Sequence, residues 1–479
     1  MFDITIIGSG VVGCSIAREL ARYKLDICVL EKESDVACGT TRANSAIIHA
    51  GYDAKPGTLK AKLNALGNPM YDKLAEELEF PFRRNGSIVI CFSHEEIKGL
   101  EKLLDQGRKN GIPGLRIIYK DELMKMEPNL SDEVVAALYA ETAGIVCPYE
   151  MTIALAENAA ENGVEFKLNS RVLNIVKKEN FYEIETINEV IKTKMVINAA
   201  GVYADEINNM VSKNKIKIIP RRGEYCVFDK SVGDMVKTTV FQLPTALGKG
   251  ILVAPTIDGN LLVGPNAVDV EDKEDVSTTR EGLNEVLRVA KRSVKCIPTD
   301  KIITSFAGLR ARCTKEDFII GEADDAENFI NAAGIESPGL TSAPAIARMV
   351  EGIVIQKLNP EMKKDFNPIR KAIKKFRELT NDERREIIKE NPSYGKIVCR
   401  CETVTEGEVL EAIRRPLGAR TLDAVKRRTR CGMGRCQSGF CSTRIVDILS
   451  RELNEPITDI TKFGGHSNIL VEKNKEGIN

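Results

Sequence analysis

The sequence predicts an α/β Rossmann-like dinucleotide-binding domain, interrupted by an inserted antiparallel sheet (α+β) and followed by a small helical, cysteine-rich unit. Three observations predict it. The first 35 residues read as strand, glycine turn, helix and strand. The middle of the first 360 residues is rich in short strands punctuated by glycine and proline, whereas both ends alternate strand and helix. Five of the 13 cysteines fall between positions 399 and 441.

Taken in order, Asp3 to Ile7 is the opening strand and Gly8-Ser9-Gly10-Val11-Val12-Gly13 the turn. Ser15 to Tyr23 continues as a helix, and Asp26 to Leu30 is an apolar strand ending at Glu31. Residues 1–80, 145–215 and 300–360 are expected to form one discontinuous nucleotide domain. Residues 81–144 and 216–299 form the inserted substrate unit. The charged, proline-punctuated stretch 361–395 reads as a helical connector packed on the body. Residues 396–455 form the cysteine unit, and 456–479 a polar tail.

The 479 residues carry 69 basic and 69 acidic side chains. That balance disfavours a general nucleic-acid binder, which needs excess positive charge to neutralise phosphates. No apolar run approaches the roughly 20 residues of a transmembrane helix. The start lacks the basic and small-residue features of a signal peptide. The expectation is therefore a cytoplasmic protein, with peripheral association at the inner face of the membrane through a partner as the variant. An odd cysteine count in a reducing compartment argues against a disulfide framework. Residues 361–479 carry a net charge of +7, concentrated around Arg427, Arg428, Arg430 and Arg435.

The glycines have separate tasks in a dinucleotide fold. Gly8 permits the tight turn, Gly10 lets a pyrophosphate approach the backbone, and Gly13 lets helix and strand pack closely. The helix N-terminus favours phosphate. Glu31 stands where a carboxylate can accept ribose hydroxyls, which disfavours a 2′-phosphate but does not separate NAD from FAD.

Several patches in order resemble the D-amino-acid-oxidase-like superfamily of FAD enzymes. Within it the chain is similar to the anaerobic glycerol-3-phosphate dehydrogenase large subunits, glycerol-3-phosphate oxidases and L-2-hydroxyglutarate oxidases. The patches are the glycine loop, Thr41 to Gly51, Asn198-Ala199-Ala200-Gly201, Gly308-Leu309-Arg310 and Gly334 to Ala343. The resemblance implies FAD, with Thr40, Thr41, Asn44 and Ser45 along its pyrophosphate and ring. It further implies Val172 at the adenine, Ala200, Gly201 and Gly308 in close packing, and Gly339, Leu340 and Thr341 closing on the ribityl and pyrimidine end.

Oxidation of an alcohol by flavin requires an anion anchor and a proton acceptor. Of the three histidines, His94 and His466 lie in polar surroundings and read as surface residues. His49 interrupts an apolar segment and is followed by Ala50-Gly51. By itself it reads equally as a structural histidine held by a carbonyl, but its match to the family's Ile-His-Ala-Gly motif implies the catalytic base. The resemblance likewise implies Arg310 as the grip on a substrate carboxylate or phosphate, and a guanidinium fork suits both. Lys249 corresponds to a lysine of the glycerol-3-phosphate oxidases, or is a hairpin-tip surface lysine. Ser342 would touch substrate or cap its helix. Arg221 and Arg222 are further candidates to line the site.

Cys399-Arg400-Cys401 and Cys436 to Cys441 give Cys-x-Cys, 34 residues, Cys-x4-Cys. Four thiolates in a small domain specify zinc or a [2Fe-2S] cluster. The spacing, with Thr429 to Gln437, resembles the bacterioferritin-associated-ferredoxin-like [2Fe-2S] domain. That resemblance implies Cys399, Cys401, Cys436 and Cys441 as ligands and leaves Cys431 outside, as the competitor of Cys436. The expected function is FAD-dependent oxidation of a small anionic alcohol, glycerol 3-phosphate to dihydroxyacetone phosphate. Electrons would leave through the cluster to an acceptor protein or quinone-linked subunit. The alternatives are a 2-hydroxy-acid dehydrogenase and a non-catalytic flavoprotein assembly module with a zinc-held docking domain.

Overall fold

The computed structural model describes residues 1–244 and 250–472. Strand β1 (Phe2–Ile7), helix α1 (Val11–Leu20) and strand β2 (Ile27–Leu30) form the opening unit. β1 pairs in parallel with β2, Ile4 opposite Ile27 and Ile6 opposite Val29. Its other edge pairs in parallel with Val190–Asn198, which in turn takes Ala326–Ala333 in parallel. Continuous burial of Ile4 and Ile6 on this sheet follows from helices covering it. Ile16 and Leu20 of α1 share a core with Ile346 and Val350 of the long helix Gly339–Leu358.

The second sheet has nine strands. Its long pair joins Ile218–Phe228 to Ile302–Cys313 in antiparallel register, with Arg221 opposite Arg310 and Gly223 opposite Gly308. The sheet is not wholly antiparallel: Thr239–Gln242 runs parallel to Ser87–Cys91. Those two strands come from separate stretches of the insertion, so no short hairpin obliges them to run in opposite senses. A third small sheet pairs Ile47–Ile48 with Gly144–Val146 and delivers His49 to the junction of the two large sheets.

Residues 361–395 differ from the helical connector expected. Only Asn381–Glu390 forms an α-helix, with a Thr380/Glu383 capping box. The preceding stretch is a strap tied to the body: Lys363 N donates to Arg22 O (2.7 Å), and Arg370 Nε to Glu157 Oε2 (2.7 Å). Tertiary partners take up groups that a helix would otherwise satisfy, overriding propensity. The cysteine unit has its own core, including Val398, Val409, Val425 and Leu449. Residue Ile460 is buried in that core, so the beginning of the expected polar tail packs on the unit.

Candidate active site and cysteine centre

A cavity of about 1980 Å³ runs from the glycine turn to the inserted sheet. At its nucleotide end the turn is packed too closely for side chains. A Cβ on Gly8 would stand 2.5 Å from Ala199 O, and one on Gly13 1.9 Å from Gly8 O. Gly10 lines the cavity, and a Cβ there would meet Thr41 Oγ1 at 3.2 Å. That hydroxyl accepts from Val11 N (3.0 Å), so Thr41 is held by the start of α1. Glu31 Oε2 accepts from Ser9 N (2.9 Å) and Ser9 Oγ (2.7 Å), and Oε1 accepts from Glu33 N (3.0 Å). Burial raises its pKa and these bonds oppose the shift. A carboxylate offers about four acceptor directions, so capacity remains toward the cavity.

Thr40, Asn44, Ser45, Val172, Ala200, Gly201, Gly308, Gly339 and Leu340 also line the cavity. Thr40 Oγ1 donates to Leu309 O (2.6 Å). Gly308 is required by close approach: a Cβ would lie 1.9 Å from Ala43 O. Gly201 adopts φ 59°, a left-handed conformation suited to glycine.

His49 and Arg310 open onto the same cavity. The main chain of His49 is clamped by side chains. Its N–H donates to Thr341 Oγ1 (2.9 Å), and its carbonyl accepts from Asn64 Nδ2 (3.1 Å) and Asn68 Nδ2 (3.0 Å). The imidazole Nε2 lies 3.5 Å from Ser337 Oγ, and the ring stands 5.9 Å from that of Phe241. The glycine after the histidine does not leave empty space beside it. Gly51 has φ 116°, and its missing Cβ admits Asn64, whose Nδ2 would otherwise be 2.6 Å away.

Arg310 Nη2 donates to Asn266 O (2.6 Å), and Arg310 forms no ion pair among the described residues. Asn266 is itself held by Glu224 through two hydrogen bonds. Gly223 makes room for the guanidinium: a Cβ would come within 2.2 Å of Arg310 Nη2. Arg221 lines the cavity too, but Asp269 holds it with bonds of 2.6 and 3.1 Å. Arg222 is buried against Asp275 and Ser277 and is not among the lining residues.

Ser342 corrects the sequence reading. It is fully buried, does not line the cavity, and its hydroxyl has no hydrogen-bond partner among the described residues. Nor does it cap its helix, which begins after Pro338. The cause is the tight packing of this helix on Leu59–Gly67, where a Cβ on Gly67 would lie 3.2 Å from the Ser342 Cα. Thr341 is likewise buried away from the cavity and acts by holding His49. Lys249 lies outside the described residues. His94 and His466 are exposed. Asn64, Asn68, Asn266, Ser337 and Phe241 were not singled out by the sequence. Only the i, i+4 spacing of the two asparagines hinted that they share a helix face.

In the C-terminal unit the Sγ atoms of Cys399, Cys431 and Cys441 lie within 4.8 Å of one another. Hydrogen bonds from Cys431 and then Cys441 hold the Cys399 thiol far below its usual pKa. Cys401, exposed, adjoins Cys436. Cys431, placed outside the ligand shell by the sequence, is thus inside the same knot of sulfur. The loop closes because Gly434 passes over Cys401, where a Cβ would meet Cys401 Cβ at 2.2 Å. Five cysteine sulfurs crowded beside arginines provide the soft donor set that an iron–sulfur cluster requires. The unit touches the main body near the flavin-lining segment. Tyr149 OH lies 3.5 Å from Met433 Sδ, and the strand before Tyr149 is tied to that segment by Val146 N donating to Ala46 O (3.0 Å) within the main body.

The glycine-cradled dinucleotide cavity is continuous with an imidazole and a guanidinium, and the chain belongs to the FAD dependent oxidoreductase family, which it matches over residues 3–352. Residues 397–451 match the BFD-like [2Fe-2S] binding domain. The protein is therefore an FAD- and [2Fe-2S]-containing oxidoreductase. Among particular proteins, it is 57% identical over 481 residues to glycerol 3-phosphate dehydrogenase of Caloramator mitchellensis, covering 100% of both chains. It is 36% identical to glycerol 3-phosphate oxidase of Mycoplasma genitalium, covering 76% of this chain and 96% of that one. The solved L-alpha-glycerophosphate oxidase of Mycoplasma pneumoniae, with FAD bound, superposes with a TM-score of 0.73 at 34% identity, covering 77% and 98%. Among the described residues, no helix is long and apolar enough to cross a membrane.

Proposed function

We propose that the protein oxidises glycerol 3-phosphate to dihydroxyacetone phosphate and passes the electrons through its [2Fe-2S] cluster to an external acceptor. The observation that carries this reading is one cavity presenting both His49 and Arg310, in a chain similar over its whole length to a glycerol 3-phosphate dehydrogenase. Bound FAD supplies the hydride acceptor. Arg310, with its Nη2 steadied by Asn266 O, grips the phosphate with its remaining N–H groups. His49 Nε2, on the side of Ser337, takes the hydroxyl proton, and Thr341, Asn64 and Asn68 keep its backbone from shifting.

Cys399, Cys401, Cys436 and Cys441 hold the cluster in this reading, with Cys431 beside Cys399 and Cys441 as the fifth sulfur of the knot. The edge of the unit suits an acceptor protein or a quinone-linked subunit: Phe440, between Cys436 and Cys441, is 84% exposed, and Arg400, Arg435 and Arg444 are exposed around it. The main body works at the cytoplasmic face, free or held to the membrane by that partner. The test is anaerobic reduction of the purified protein by a panel of alcohols with an artificial acceptor. Rapid bleaching by glycerol 3-phosphate and not by glycerol supports the reading. Bleaching by a 2-hydroxy acid instead moves Arg310 to a carboxylate and overturns the substrate.

A further inference from the structure

The nucleotide end of the cavity is not built by the nucleotide domain alone. Together with Glu31 and Val172, it is lined by Asp423 of the cysteine unit and by Lys462 and Phe463 of the tail packed on it. The last two belong to residues 461–468, which fold into a tight turn. Thr461 bridges to Asn468, Lys462 N donates to Ser467 O (2.8 Å), and Gly464 and Gly465 take φ 95° and 55°. The turn is anchored on both sides. Asp423 N donates to Lys462 O (2.8 Å), and Ser34 Oγ, three residues beyond Glu31, donates to Phe463 O (3.1 Å). A Cβ on Gly464 would sit 2.5 Å from Ser34 Oγ, so this approach is a close fit.

Although its backbone is held, Phe463 keeps 51% of its surface exposed at the cavity wall. An aromatic ring left open beside the residues that receive an adenosine has a flat apolar face to offer a base or ribose. The same wall is cationic. Lys462 on the turn and Arg42 on the segment beside Thr41 both line the cavity, and their charge, after burial, helps lower the pKa of Lys426 nearby. Asp423 also lines this end, and Arg42 and Lys462 place two cations beside the loop that receives a diphosphate.

We propose that the turn at 461–468, packed on the iron–sulfur unit, is part of the FAD site, with Phe463 covering the adenosine and Lys462 facing the diphosphate. The cluster domain then retains the cofactor as well as relaying its electrons. The Mycoplasma pneumoniae oxidase, whose chain aligns over 98% of its length with 77% of this one, holds FAD without a counterpart to the rest. The turn therefore adds affinity to a site that already works. This inference rests on FAD binding and is independent of the substrate.

The test uses the full chain with its cluster in place and its flavin removed, titrated with FAD and separately with ADP. Phe463→Ala and Lys462→Glu should each raise the dissociation constant for FAD about 10-fold, and that for ADP by a similar factor, with Lys462→Arg near wild type. Unchanged thermal unfolding of the flavin-free variants shows that the fold is intact. Dissociation constants within twofold of wild type for both ligands in both variants overturn the proposal. A loss of FAD affinity without a matching loss for ADP overturns the placement at the adenosine diphosphate end.

Discussion

Asp35 and Arg428, 393 residues apart, meet through two buried hydrogen bonds of 2.7 and 2.8 Å. Arg427 adds a third to the same carboxylate at 2.6 Å. Asp35 lies four residues beyond Glu31, so this contact fastens the cysteine unit to the strand end that carries the nucleotide. Arg430 makes a second clamp, to Asp258 (2.8 Å) and Glu402 (3.0 Å). Arg427, Arg428 and Arg430, around which the sequence concentrates its positive charge, are docking residues.

Asp35→Ala should release this docking, because it leaves two buried guanidinium groups facing one another. Breaking a buried pair by removing one partner costs about 3–5 kcal/mol. Hydrogen exchange of residues 422–429 should rise in the variant. Burial by itself would raise the Asp35 pKa, but Arg428 and Arg427 outweigh it and hold the carboxyl below its usual range. A carboxylate depressed in the folded state contributes stability above its unfolded value, about 3.9, and loses it as pH falls through the folded value. The wild-type advantage over Asp35→Asn should therefore persist at neutral pH, begin to decline below about pH 4 and vanish only below the depressed folded value.

Gly10→Val should empty the flavin site. Its side chain would crowd Thr41 Oγ1 and the path of the diphosphate. The measurement is bound FAD per chain after gel filtration. Stoichiometric flavin in the variant would sink the assignment. Glu31→Ala should retain flavin more weakly than wild type, having lost its hydrogen-bonded carboxylate.

His49→Ala should keep the oxidised flavin spectrum yet slow its reduction by substrate about 10²- to 10⁴-fold, as for a lost general base. Rapid-reaction kinetics decides this, and a rate near wild type removes the role. Thr341→Val, which loses one hydrogen bond worth about 1 kcal/mol, should slow reduction by no more than about 10-fold, and Thr341→Ser should recover the rate.

Arg310→Lys should weaken capture of the anionic substrate more than it slows reduction at saturation, because an ammonium cannot reproduce the fork. A rise in KM with kcat nearly kept is the expected split. Equal use of charged and uncharged alcohols by the wild type would contradict it.

Two irons and two acid-labile sulfides per chain are expected after anaerobic purification. Serine at Cys399, Cys401, Cys436 or Cys441 should remove the cluster or change its reduced EPR signal, while flavin reduction by substrate continues. Cys431→Ser separates the two registers that its position in the sulfur knot allows. A mild effect keeps Cys436 as the ligand, and loss of the cluster with a spared Cys436→Ser exchanges them.

The glycine turn, Glu31, His49, Arg310 and the sulfur-rich loop were legible along the chain. The turn, Glu31 and the cysteines depend on local demands (a backbone with no room for Cβ, a carboxylate at a strand end, cysteine spacing), whereas His49 and Arg310 were singled out by resemblance to the family's motifs. What supports them was not legible. Thr341 reaches His49 across 292 residues, and Asn266 steadies Arg310 across 44. Ser342 looked like a neighbour of substrate because it follows the late glycine loop, yet helix packing turned it into the interior. The strap at 361–375 and the turn at 461–468 looked like connector and tail because their composition is polar and charged. Periodicity and motif spacing report how a segment satisfies itself, so the sequence by itself determined the α/β opening, the dinucleotide loop and a thiolate-rich unit, while the choice of FAD and [2Fe-2S] came from the family resemblance. Which polar groups hold the reacting side chains, and that the cysteine unit walls the FAD cavity, depended on long-range packing. Only the tertiary structure decided them, because those partners are chosen by burial and hydrogen-bond satisfaction between segments hundreds of residues apart.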